Sequence, residues 1–276
     1  MSNIHSTRSA LFCTCAAILT LGAAGPVLSE EIRSCVIVPS AIVDLSVSQP
    51  GVVRTVHVGR GDSVVAGDVL IELDDSAISV EIAVAERRAT DETQLGGIAQ
   101  RVEVLEAQLE RMKSLTERAL ARQNDLDRLE DQLLSLYQER DRLIAAKDLA
   151  ALDLQRVQAQ LAQRVLYSPT DGIVTAREVE PGEYASEQRP VLTVAALDPL
   201  HVELYLPLTL RDRITVGDEI IVMSDAGGND GDMELTATVD VIDRVSDAAS
   251  STFGVRLTLP NPDLTLPAGV RCRVDI

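Results

Sequence analysis

The sequence has 276 residues, 46% hydrophobic and 25% charged, a balance that predicts folded protein with room for two domains. A net charge of −18 and an aromatic content of 2% argue against a nucleic-acid binder, which needs Lys and Arg for phosphates and aromatic platforms for bases. The same scarcity of aromatics argues against a sugar binder, and lysine is confined to Lys113 and Lys147.

Residues 1–29 read as a secretory signal: Arg8 precedes an apolar run from Ala10 to Ala24, with Val27 and Ser29 at the small-residue positions of a cleavage site. An uncleaved anchor is the rival reading. Cys13 and Cys15 sit in the run without the small residues that precede a lipidated cysteine. The remaining cysteines, Cys35 and Cys272, are either an exported disulfide or two separate buried thiols.

Residues 30–50 form a lead-in with a short strand over 34–38. From Gly51 the alternation of Val53 and Thr55 against Val52, Val56 and Val58 predicts a strand, with His57 pointing to solvent. Gly59 to Asp62 and Ala66-Gly67-Asp68 supply turns, and Val69 to Leu73 is a further strand.

Residues 76–165 then change period. Leu95, Ile98, Val102, Leu105, Leu109 and Met112 follow steps of three and four, and Leu126, Leu129, Leu133, Leu136, Leu143, Ala150, Leu154, Val157 and Leu161 fit the same frame. Such a repeat gives each arm one apolar seam, and two seams bury each other as an antiparallel coiled-coil hairpin. Arg140 and Lys147 occupy seam positions and are expected to push their charges outward along their stems. Gly96-Gly97 is the expected place for a bend or break. Arms of about 40 residues project roughly 60 Å at about 1.5 Å per residue.

After the hairpin Ser168-Pro169 ends the helix, Asp171-Gly172 and Pro181-Gly182 mark turns, and strands are expected over 173–179 and 191–195. The Gly61-Asp62 and Pro181-Gly182-Glu183 turns occupy matching places, so residues 51–75 and 166–196 read as pseudo-repeats of one small β domain split by the helices. Residues 197–276 read as a small β-barrel, with strands at 200–206, 220–223, 235–242, 254–259 and 270–276. The loop from Asp225 to Asp232 lacks the spacing of a calcium loop and reads as a glycine-rich turn. With three scattered histidines, no paired carboxylates and no nucleophile–base spacing, neither a metal site nor an enzyme is expected.

The halves flanking the hairpin resemble the biotinyl/lipoyl-carrier domain. Carriers of that fold attach their cofactor to a lysine at a hairpin tip; the matching tip here, Leu73-Asp74-Asp75, has none, so no cofactor is expected. A lipoyl-like domain split by a helical hairpin and followed by a barrel resembles the periplasmic adaptor family, also called membrane fusion or HlyD-type proteins. The resemblance runs along the chain after the signal and is densest in SPTDGIVTAREVEPGE (168–183) and LPNPDLTLPAGV (259–270). It implies an elongated mixed α and β protein, exported to the periplasm and associated with the inner membrane. It further implies a homo-oligomer, trimer or hexamer, joining an inner-membrane transporter to a TolC-type outer-membrane channel without catalysis. Larger members continue past the barrel, whereas this sequence ends at Ile276. Adaptors of resistance-nodulation-division (RND) pumps are similar to one another in an Arg-x3-Leu-x6-Ser pattern at the hairpin tip that meets the channel. Arg111, Leu115 and Arg122 stand at those positions, with arginine in place of the serine and Asn124 as the substitute helix cap. Leu115 is read either as a contact residue or as the end of the seam. The resemblance leaves open a proton-driven efflux partner, an ATP-driven exporter or type I system, and a scaffold with no transport role. It also places the lead-in beside the last barrel strand, within reach of a Cys35–Cys272 bond.

Overall fold

The computed structural model describes residues 31–225 and 233–276; the signal reading and nearly all of the Asp225–Asp232 loop lie outside them. Among the described residues, twelve strands (β1–β12), three long helices (α1–α3) and one short 3-10 helix follow along the chain. Strand β1, Glu31–Leu45, has 15 residues, far longer than the short lead-in strand expected. It is followed by β2 (Gly51–Val56), β3 (Ser63–Val64) and β4 (Val69–Leu73), then by the helices. After them come β5 (Val165–Tyr167), β6 (Gly172–Arg177), β7 (Tyr184–Ala185) and β8 (Leu192–Pro207).

These eight strands are two copies of one four-strand unit. One sheet runs β5-β4-β2-β7, and the other contains β8-β6-β3 with β1 paired to β8. Counterparts therefore occupy equivalent places: β4 pairs with β5, and β8 with β1. Apolar residues from both units close the space between the sheets, among them Val53, Leu70, Ile71, Val174, Leu192 and Val194.

The two units are locked by reciprocal turns. Gly61 donates its N–H to the Val174 carbonyl (2.8 Å), and Val174 donates back to the Asp62 carbonyl (2.9 Å). In the other unit Gly182 donates to Val53 and Val53 donates to Glu183, both at 2.8 Å. Gly61 and Gly182 adopt φ of 95° and 91°, open only to a residue without Cβ at little cost. The acid after each glycine closes its own turn: Asp62 Oδ2 accepts the Gly59 N–H (2.7 Å), and Glu183 Oε2 accepts the Glu180 N–H (2.9 Å). The matching GD and PGE turns seen in the sequence are thus one device used twice. It recurs at Gly67-Asp68 against Ser168 and, unremarked in the sequence, at Gly217-Asp218 against Val239.

The barrel departs from expectation at its edges. Strands β9 (Glu219–Ser224), β10 (Met233–Asp247), β11 (Thr252–Leu259) and β12 (Val270–Asp275) form where the alternation puts them. Closure, however, runs β1-β12-β9-β10-β11-β8 and back to β1, so the lead-in supplies the sixth strand. Five strands would have left two open edges; β1 removes both and buries Cys35 and Ile37 in the barrel core. Nor is there a break at 196/197, because β8 runs unbroken from the sandwich into the barrel.

The second dense stretch of sequence resemblance, 259–270, is built around Asn261, 2% exposed. Its amide nitrogen donates to the Leu197 (3.0 Å) and Leu266 (3.1 Å) carbonyls, and its Oδ1 accepts the Leu266 N–H at 3.0 Å. Its own N–H donates to Asp198 Oδ1 at 2.8 Å. The loop after β11 is pinned to β8 through one side chain whose hydrogen bonds are all internal.

The hairpin is α1 (Ser76–Thr90), α2 (Thr93–Glu117) and α3 (Gln123–Ala162). Seam residues Ile98, Val102, Leu109, Leu133 and Val157 are buried and the other seam positions are half-buried, while most of the remaining surface is exposed. The break in the first arm falls at Asp91-Glu92, and Gly96 and Gly97 continue α2 as ordinary helical residues. Local side-chain bonds mark the place. Thr90 Oγ1 bonds the Glu86 carbonyl (2.8 Å), while Asp91 Oδ1 accepts the Thr93 N–H (3.0 Å) and hydroxyl (2.6 Å), starting a new helix. Both bonds from Thr93 hold the Asp91 carboxyl below its ordinary pKa. Lys147 pushes its charge out of the seam, as expected, and pairs with Glu92 at this break; Arg140 lies over the Tyr137 ring at 4.9 Å.

Replacing Asn261 with alanine strands buried carbonyl and N–H groups. Asn261→Ala is expected to lower the unfolding free energy by about 3 kcal/mol, read as a shifted urea midpoint; a change under about 1 kcal/mol would refute its role as the pin.

Candidate functional site at the hairpin tip

The root of the hairpin is polar. Asp74 Oδ1 accepts the Ser76 N–H (3.1 Å) and Oδ2 the Ser76 hydroxyl (3.2 Å), which starts α1 and holds the Asp74 carboxyl below its ordinary pKa. Arg54 on β2 reaches both Asp74 and Asp75. On the return side Arg164 packs over Gly51, where a side chain would meet its guanidinium, and donates to the Pro50 carbonyl at 3.2 Å. Where carriers of the related fold present a lysine, this chain spends its charges on anchoring helices.

At the far end, α2 stops in a Schellman turn. The Leu120 N–H reaches the Leu115 carbonyl and the Ala119 N–H reaches that of Thr116, both at 2.9 Å. The residue between, Ala119, takes the left-handed φ of 58° that this turn usually assigns to glycine. Leu120 is thereby held out from the end of the hairpin, 72% exposed. Sequence reasoning missed both residues. The stretch from Thr116 to Arg122 has no glycine, proline or asparagine, so nothing in it signals a turn.

Two of the three tip residues expected from the sequence come together. Arg111 and Leu115 line a groove of about 430 Å³ between the arms, faced by Asp125 and Arg128 of α3. Leu115 is 39% exposed, beyond the buried part of the seam, and Arg111 is exposed. Arg122 lies outside the groove, at the N-cap position of α3 with an extended backbone and no capping side chain. Asn124 does not replace the cap, because it already lies inside the first turn; the acid there is Asp125, whose N–H reaches the Arg122 carbonyl at 3.1 Å. Nearby ion pairs are local ones, Lys113–Glu110 at 3.3 Å and Arg128–Asp125 at 4.0 Å. Among the described residues, Arg111, Arg118 and Arg122 have no ion-pair partner, so three free guanidiniums crown the projection in a chain of net charge −18.

His57 is exposed, 3.1 Å from Glu72, and His201 is half-buried on β8, its pKa lowered chiefly by that burial. Among the described residues no cluster of His, Cys, Asp and Glu is arranged to hold a metal ion, and no helix is long and apolar enough to cross a membrane.

Relieving the left-handed alanine tests the description of the tip. Ala119→Gly is expected to stabilise the protein by about 1 kcal/mol, the left-handed penalty net of glycine's extra chain entropy, with the gain seen in thermal unfolding followed by helical circular dichroism. Destabilisation would show that this turn is wrong.

Residues 41–196, the sandwich with its inserted hairpin, match the CzcB-like barrel-sandwich hybrid domain. A membrane protein of Acidithiobacillus ferridurans is 38% identical over 79 residues, which is 29% of this chain and 23% of that protein. The pyoverdine export membrane fusion protein PvdR of Pseudomonas putida is 30% identical over 169 residues, 59% of this chain and 43% of the relative. The chain thus spans less than half the length of these curated relatives. The crystal structure of MacA from Actinobacillus actinomycetemcomitans has the same fold, with a TM-score of 0.75 at 17% identity over 90% of this chain and 79% of that one. With the domain match covering more than half of the sequence, the chain belongs to the CzcB-like barrel-sandwich hybrid family, in keeping with its split sandwich.

Proposed function

We propose that the protein is a non-catalytic periplasmic adaptor that links an inner-membrane efflux transporter of the RND type to a TolC-type outer-membrane channel and supports export of small molecules. Three unpaired guanidiniums and an outward leucine at the end of a hairpin of about 60 Å carry this reading. A tip that far from any core has no packing role, so its side chains are free to specify a contact. Guanidiniums donate forked hydrogen bonds to carbonyls and carboxylates, which suits the rim of a helical channel. The barrel, at the other end of the sandwich, is assigned to the transporter side, and the working form is a ring of three or six copies. Residues 1–29 are assigned as the export signal. A second reading, an ATP-driven exporter or type I secretion system as partner, is favoured by Arg122, which stands where RND adaptors resemble one another in a serine.

A photo-crosslinking residue in place of Leu120 is expected to trap an outer-membrane protein in the native host, and one in place of Val245, 84% exposed on the barrel, an inner-membrane protein. A twelve-span permease at the second position supports the RND partner, and an ATPase-linked protein supports the alternative. Arg111→Asp is expected to lower the Leu120 adduct about tenfold, the scale of one lost charge-assisted contact, at unchanged folded yield. Leu115→Ser is expected to act in the same direction. Arg122→Ser separates the readings: a gain in the adduct supports an RND-type channel contact. Absence of membrane-protein adducts from both positions would overturn the assignment.

A further inference from the structure

We propose that Cys35 and Cys272 form a redox clasp that holds the β-barrel closed, so that its β1–β12 seam is fixed only where a disulfide donor is at hand. The two residues face each other in the β1–β12 pairing, their Cα atoms 5.1 Å apart and their sulfurs bonded. A span of that size suits a disulfide without backbone movement. Both residues are buried in the barrel core, at 2% and 1% exposure.

The position matters more than the bond itself. Strand β1 closes the barrel by pairing β8 on one side and β12 on the other, and Cys35 is opposite Leu204 on the first and Cys272 on the second. The β8 side is a long ladder running from Cys35 to Leu45, shared with the sandwich. The β12 side is short and irregular: its register shifts between Ile32 and Cys35, and beyond Ile37 it is continued only by the Gly269 N–H on the Ile37 carbonyl at 2.7 Å. Strand β12 is held over five paired positions by β1 and over three by β9, so it is the barrel strand most easily released, and the bond fastens it to β1. A slip of one residue would turn Cys35 and Ile37 outward and bring in Val36, which is 40% exposed. The bond forbids that slip and ties the first strand to the last across a separation of 237 residues. Without it the two thiols remain small apolar core residues, so the fold survives while the seam opens locally.

Formation requires a co-reactant. One cysteine thiolate attacks a donor disulfide and releases one donor sulfur; the second thiolate then displaces the other. The clasp forms, the donor leaves as a dithiol carrying both protons, and two electrons pass to it. The inference rests on the extracytoplasmic location proposed above, and two separate measurements keep the questions apart. In vitro, hydrogen exchange is compared between oxidised protein, reduced protein and the volume-keeping variant Cys35→Val/Cys272→Ala. Exchange of the 35–38 and 270–274 amides is expected to rise on the order of a hundredfold in the latter two, with the hairpin amides at 98–112 unchanged. Equal exchange in all three would overturn the clasp. In the native host, acid quenching followed by denaturing alkylation is expected to label neither cysteine until a reductant is added. Both thiols labelled directly would overturn the clasp in the cell and contradict the extracytoplasmic location, whatever the exchange result.

Discussion

The frame rests on a recurring reciprocal pair of hydrogen bonds, a left-handed glycine and the acid after it gripping a residue opposite, and in the sandwich this pair twice grips a valine of the other half. Gly61-Asp62 grips Val174, two residues beyond Gly172, which lies against Ala195 where β8 heads into the barrel. Gly182-Glu183 grips Val53, two residues beyond Gly51, which lies against Arg164 at the hairpin root. Each turn therefore crosses the sandwich and fastens at the far side. The hairpin and the barrel leave from opposite ends of a frame whose halves cannot slide. A side chain at either glycine would cost roughly 1–2 kcal/mol in backbone strain alone, before any loosening of the frame.

The two projections differ in how they are held. The barrel shares continuous strands with the sandwich, β1 on one side and β8 on the other, so it is an extension of the same sheet. The hairpin is joined by short polar contacts: Arg54 to the paired aspartates, Arg164 to Pro50, Gln49 to Gln163 at 2.7 Å. Exposed ion pairs contribute little each. Its own stability comes from one apolar stripe per arm, so the root is the natural place for the long arm to adjust its angle. A rigid end beside the proposed transporter and an adjustable arm toward the proposed channel would suit the two-partner role proposed above.

Much of this was legible in the residues. The 3.5-residue seam gave the arms, and the paired GD and PGE turns gave the internal repeat, because periodicity and left-handed turns are local signals. The strand shared by both domains was not legible, since β1 pairs with residues far away in the chain and its alternation covers only a few positions. The helix break was misplaced for a different reason. Intrinsic propensity pointed to Gly96-Gly97, but the local side-chain bonds of Thr90, Asp91 and Thr93 lie at the break, and Lys147 pairs there with Glu92. At the tip Arg111 and Leu115 were proposed through resemblance, whereas Ala119 and Leu120 carry no sequence signal: alanine in a left-handed turn is set by chain reversal between two helices.

The central claim is that one chain engages both membranes' proteins at once, tip on one side and barrel on the other. Isolating the affinity-tagged protein from chemically crosslinked cells of its native host, and identifying every component of single complexes by mass spectrometry, tests it most directly. The account predicts one particle containing several copies of this chain together with an outer-membrane channel and an inner-membrane transporter. Particles that hold proteins of only one membrane, or copies of this chain alone, would contradict it.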